Sequence, residues 1–129
     1  MSLNQFHAGF ANTATLFIAA LGVWALGLRF TSRPLNASWY GAAVVGEIVI
    51  VLQGLVGLLL YLQGQGALLP RPFMHVLYGV VAVLTLPAAY SYLGRQEDER
   101  VKAIIMGLVC LFLWGILLRA SSVAQFPLA

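Results

Sequence analysis

The sequence predicts an all-α integral membrane protein, a four-helix up-and-down bundle with both termini on the outer side. Three observations predict it. First, four long apolar stretches fill most of the 129 residues, separated by short polar loops. Second, those stretches are almost free of charge: residues 8–28, 72–94 and 103–118 carry none, and residues 39–63 carry only Glu47. Each is near or above the roughly 20 residues that cross a bilayer as a helix, the fourth only if Arg119 lies at the membrane edge. Third, ten-residue alternating strands are absent. Lipid offers no partners to backbone groups, so a span is a helix or part of a closed barrel, and here helices are the answer.

Composition agrees. Charged residues make up 9% of the chain, against about 25% in a soluble domain. The net charge of +3 comes from basic residues spread over loops and helix ends, which argues against a nucleic-acid surface. No soluble domain, linker or internal repeat is visible, so residues 1–129 read as one transmembrane domain. The single cysteine, Cys110, excludes an internal disulfide and reads as a small buried apolar residue. The segment MSLNQFHAGF lacks a basic n-region, so the first span is not read as a signal peptide.

The first span is expected over about 8–30, ending before Thr31-Ser32-Arg33-Pro34. The second covers about 39–63, opening on Trp39-Tyr40, an aromatic pair expected at interface depth. The third covers about 72–94, with Pro72 tolerated in a first turn. Pro87 should bend the third span or loosen its last turns. The fourth covers about 101–122, with the run Glu97–Asp98–Glu99 at its positive end. Such short connections make consecutive helices antiparallel neighbours. Arg29, Arg33, Arg95, Arg100 and Lys102 lie on one side, and Arg71 and Arg119 on the other. The positive-inside rule places the five-residue side in the cytoplasm. The sequon Asn36-Ala37-Ser38 then falls on the cytoplasmic side and carries no glycosylation meaning. The expected location is a bacterial inner (plasma) membrane.

Polar residues inside a bilayer cost energy and need partners, so they carry the functional reading. His7 lies at the mouth of the first span, His75 about one turn below the outer end of the third, and Arg119 within about a turn of the outer end of the fourth. Tyr78 follows His75 by one turn, and Trp114 lies a little deeper. Gln53 falls near the midplane, and Gly46, Gly54 and Gly57, with Ala42, allow close approach of a helix or a flat ring. Two histidines on separate helices at one depth suggest axial ligands to haem iron, with Arg119 or Arg71 near the propionates. The bland alternative makes both histidines interfacial polar residues, and the segment before His7 is short enough to fray. Glu47 reads as a proton relay or ion ligand, or as a protonated carboxyl bonded to a neighbouring group. Arg29 and Arg33 are expected to snorkel to the interface.

Leu52-Gln53-Gly54-Leu55-Val56-Gly57, a Gly-rich turn, and then His75-x-x-Tyr78-Gly79-x-x-Ala82 resemble one half of the haem A synthase family. That family repeats a four-helix bundle in which a histidine helix, a Leu-Gln…Gly helix and a second histidine helix follow one another. His7, Gln53 and His75 occupy that order over about two thirds of the chain. The family's Glu–His–Arg signature is missing: Phe6 precedes His7 and Ala8 follows it. One bundle is present instead of two, so the resemblance implies a haem-carrying bundle rather than a synthase. Small b-type cytochrome anchors of respiratory enzymes share the two-histidine logic.

The sequence has no Cys-x-x-Cys-His for covalent haem, no metalloprotease or phosphate-loop motif, and no aspartate within a span for a Ser/His/Asp set. The expected function is therefore a haem b protein, or a haem-carrying subunit of a respiratory or photosynthetic electron-transfer complex. It would lack independent catalytic activity. The alternative is a cofactor-free accessory subunit packing against larger subunits, or in a homo-oligomer, lining a quinone or lipid site. A pigment magnesium held by one histidine is a third arrangement. Expected partners are the lipid bilayer and larger membrane subunits, with no nucleic acid.

The charge bias sets a test of orientation. With Cys110 replaced by alanine, cysteines introduced at Ser2 and Ser122 should react with a membrane-impermeant maleimide from the outer side. Labelling only from the cytoplasmic side would reverse the assignment.

Overall fold

A computed structural model describes residues 1–125. Four α-helices follow in order: α1 Leu3–Phe30, α2 Ala37–Leu62, α3 Pro72–Leu93 and α4 Glu99–Val123, with a short 3-10 turn at Gln65–Leu68 before α3. All four are long and apolar enough to cross a membrane. At 1.5 Å per residue they measure about 33–42 Å, enough for a hydrocarbon core of roughly 30 Å. The chain is an integral membrane four-helix bundle. The element order matches the sequence reading, with ends displaced by a few residues.

The ends are set by caps. Ser2 accepts from the Gln5 backbone N–H while the Gln5 side chain accepts from the Ser2 N–H, a reciprocal capping box. This starts α1 five residues earlier than expected and places His7 inside capped helix. Asn36 caps α2, its side chain accepting from Trp39 N–H at 2.8 Å. That cap is the structural role of the Asn36-Ala37-Ser38 sequence. Asp98 caps α4, accepting from Arg100 N–H at 2.9 Å. α2 ends where Gly64 takes a left-handed φ of 88°. α3 runs unbroken through Pro87 to Leu93, because lipid leaves its backbone no better partner than the helix itself.

The helices form a ring in chain order, each antiparallel to the next. α1 and α4 share the most extensive contact, and α2 and α3 the least. The α1–α4 seam is close because it is built on small residues. A Cβ on Gly22 would lie 3.2 Å from Cys110 Cβ and 3.3 Å from the Gly107 carbonyl oxygen. A Cβ on Gly107 would lie 2.6 Å from Leu26 Cδ2. Cys110 is fully buried in this seam, as the sequence implied.

Ile18, Ala25, Trp39, Ala43, Leu86, Ala103, Met106, Cys110 and Leu113 are wholly buried. They occupy the middle of the bundle and the half that contains Arg29. Trp39 corrects the interface reading of the Trp39–Tyr40 pair. It points inward, and its indole N–H donates to the Leu21 carbonyl at 3.0 Å. Only Tyr40 remains half-buried at the edge, its ring 6.0 Å from that of Tyr90. Trp114 is exposed on the outer face of α4 rather than turned toward the histidines.

Gly22→Leu should force α1 and α4 apart and lower stability by about 1–3 kcal/mol. Denaturant titration in micelles should show the loss. Unchanged stability would mean that the small-residue seam does not hold the bundle together.

Candidate functional site at the histidine end

All four helices contribute to the end of the bundle that holds both histidines. His7 stands in the second turn of α1 and His75 at the end of the first turn of α3. Both are half-buried. Their ring centres lie 6.2 Å apart with planes at 75°. The pair therefore bridges the diagonal of the ring of helices.

Each histidine has its own support. The His75 Nδ1 lies 2.8 Å from the Ala120 carbonyl oxygen on α4. A carbonyl only accepts, so Nδ1 carries the proton, and a neutral imidazole then has its lone pair on Nε2. His7 is seated against α2 at Gly57, where a Cβ would come within 3.1 Å of His7 Cε1. Any larger residue there would displace the ring. Gln53, one turn further along α2, donates Nε2–H to the His7 backbone carbonyl at 2.7 Å. Interhelical bonds of this kind average about 0.6 kcal/mol in membranes, so this bond fixes position more than it stabilises. Asn4 donates to the Gln65 side chain at 3.3 Å, tying the start of α1 to the α2–α3 turn.

Two buried polar atoms at this end have no hydrogen-bond partner: His7 Nδ1 and Gln53 Oε1. The α2–α3 seam beside them is the loosest of the four. Gly79 follows His75 by one turn and is half-buried, yet a Cβ there would meet nothing within 4 Å. Gly54, across the seam, would meet only Val83 Cγ2 at 3.5 Å.

Arg119 is exposed on α4, its guanidinium carbon 5.9 Å from the centre of the Tyr78 ring. At an exposed site such a contact is worth about 0.5–1 kcal/mol. The cation thus lies at the rim, next to the residue that follows His75 by one turn. Arg71 is the exposed residue preceding α3.

His7, His75, Gln53, Tyr78 and Arg119 therefore gather at one end of the bundle. The Ala120 carbonyl and the openness around Gly79 were not foreseen. A backbone oxygen has no sequence signature, and Gly79 looks like any other span glycine until its surroundings are known. No protein-family model, curated protein or solved structure matches this chain.

In ring-centre distance His7 and His75 are compatible with two imidazoles holding one haem iron. Two iron–nitrogen bonds of about 2 Å, plus about 1 Å from each nitrogen to its ring centre, separate axial imidazole centres by roughly 6 Å. Among the described residues no three His, Cys, Asp or Glu side chains come together as a metal cage. Two imidazoles suit an iron whose remaining ligands come from a macrocycle.

Glu47 stands apart from this group, nearly three turns into α2, half-buried, with Oε2 lacking a partner. No cation among the described residues pairs with it. Glu47→Gln keeps the shape and removes the ionisable group, so assembly and stability should stay within about 0.5 kcal/mol of the parent. Size-exclusion profile and thermal unfolding in detergent measure this. Failure to accumulate would show that the charge itself has a partner, such as a basic residue of another subunit.

Proposed function

We propose that this chain is a small b-type haem protein of the membrane, acting alone or as the haem-carrying subunit of an electron-transfer complex. The observation that carries the reading is the imidazole pair, with ring centres 6.2 Å apart on α1 and α3. His75 is the better-prepared member. Its bond to the Ala120 carbonyl fixes the ring and makes the imidazole a stronger donor, the usual outer-shell arrangement of a ligating histidine. His7 approaches from the opposite helix, its depth set by Gln53 and its ring by the bare backbone at Gly57. Arg119 at the rim offers a cation to carboxylates at the edge of a ring. Bound there, haem would supply one-electron chemistry. His7 and His75 would hold its iron, and Arg119 would place at the rim a charge that favours the reduced form.

The His75–Ala120 bond also favours a second reading. A histidine bonded to a neighbouring helix's backbone is a packing device, and a cofactor-free accessory subunit would use it that way. Such a subunit would pack against larger membrane subunits, and its histidine end would border a quinone or lipid. The bacterial inner membrane is the location proposed for either reading.

Colour decides between them. Protein purified from haem-replete cells should show a sharp Soret band and a low-spin α-band on reduction. His7→Ala and His75→Ala should each abolish the bis-histidine spectrum, His75→Ala with the greater loss of haem because it also removes the tie to α4. Arg119→Ala should keep the spectrum and lower the reduction potential. A colourless parent protein that binds no added haemin would overturn the haem reading in favour of the accessory subunit.

A further inference from the structure

The opposite end of the bundle carries a second polar site, independent of the histidines. A cleft of ≈ 200 Å³ opens there between the α1–α2 turn and the start of α4, lined by Arg29, Ser32, Arg33, Pro34, Glu99 and Arg100. Three arginines line it, and none makes an ion pair among the described residues. One acid, Glu99, lines the cleft as well, but it and Asp98 have partners of their own. Glu99 lies 3.1 Å from Lys102 Nζ, and Asp98 caps the Arg100 N–H at 2.9 Å. Arg29 Nε is buried with no hydrogen-bond partner. A buried charged donor left unpaired is costly, and a negative charge held beside the Arg29 side chain would offset part of that cost.

The backbone is shaped to bring these cations together. Ser32 adopts a left-handed φ of 58°, a conformation that non-glycine residues seldom take. Arg33 N–H donates back to the Leu28 carbonyl at 2.8 Å, and Ser32 N–H to the Arg29 carbonyl at 3.1 Å. The chain thus folds back over the end of α1 and sets Arg33 beside Arg29. Arg100 approaches from the first turn of α4.

We propose that this cleft is a phosphate-binding site whose cationic walls are Arg29, Arg33 and Arg100. Guanidinium groups match phosphate oxygens in shape as well as charge. The volume equals that of about six or seven waters at roughly 30 Å³ each, room for a phosphate and its ester arms. The cleft lies where α1 ends and α4 begins, so in a bilayer it sits at headgroup level. Basic pockets between span ends at that depth take anionic lipid headgroups, which points to an anionic phospholipid ahead of soluble phosphate.

The test uses the full chain in neutral detergent, with native mass spectrometry counting retained lipid. Phosphatidylglycerol should be retained over phosphatidylcholine, and Arg33→Gln and Arg100→Gln should each weaken its binding about fivefold. Both side chains belong to exposed residues, so these variants should fold even if Arg29→Gln does not. Arg95→Gln, at the same end but outside the cleft, should change binding less than twofold. If millimolar inorganic phosphate displaces the lipid from the parent chain, soluble phosphate is a ligand of the same site. If it does not, the site is selective for phospholipid. Equal retention of phosphatidylcholine, unchanged binding in both cleft variants, or an equal loss in Arg95→Gln would overturn the proposal.

Discussion

The close approach of α1 and α4 organises the bundle. Lipid tails are as apolar as leucine, so helices in a membrane gain little by hiding apolar side chains from their surroundings. They associate through close contact, and close contact needs small residues. Gly22, Gly107 and Cys110 provide it: nothing larger than hydrogen fits between α1 and the Gly107 carbonyl without movement. With that seam closed, α2 and α3 take the remaining flanks. Trp39 locks α2 onto α1 by filling the interior and bonding to the Leu21 carbonyl.

Tight packing toward one end leaves the other end looser. Around Ile18, Met106 and Leu113 the apolar side chains are wholly buried. Toward His7 and His75 the α2–α3 seam relaxes, glycines replace branched residues, and polar contacts take over. Gln53 reaches the His7 carbonyl, and His75 reaches the Ala120 carbonyl. These bonds are modest in energy but directional. The second orients the His75 imidazole, and the first fixes the depth of His7, whose ring is seated by packing on Gly57.

The two ends therefore differ in chemistry. One presents a pair of imidazoles with a cation at the rim, suited to holding a metal-centred ring. The other presents three guanidinium groups without carboxylate partners, suited to phosphate. The apolar length of the four helices keeps these ends a full bilayer apart.

Much of this was determined by the sequence alone. Four uncharged stretches of membrane length, joined by short polar loops, leave a bundle of antiparallel spans as the available fold, because unsatisfied backbone cannot lie in lipid. Spacing from the span ends was enough to place His7, His75 and Arg119 toward one end. Tertiary structure decided the rest, because direction around a helix axis depends on which neighbour it meets. It turned Trp39 inward and Trp114 outward, although both are tryptophans in apolar stretches. It seated His7 on Gly57 and supplied His75 with a backbone oxygen from α4. It also set Arg33 beside Arg29 through a left-handed Ser32. Hydropathy and spacing measure depth along a helix, whereas partners are chosen by packing across it, and only the assembled bundle contains that information.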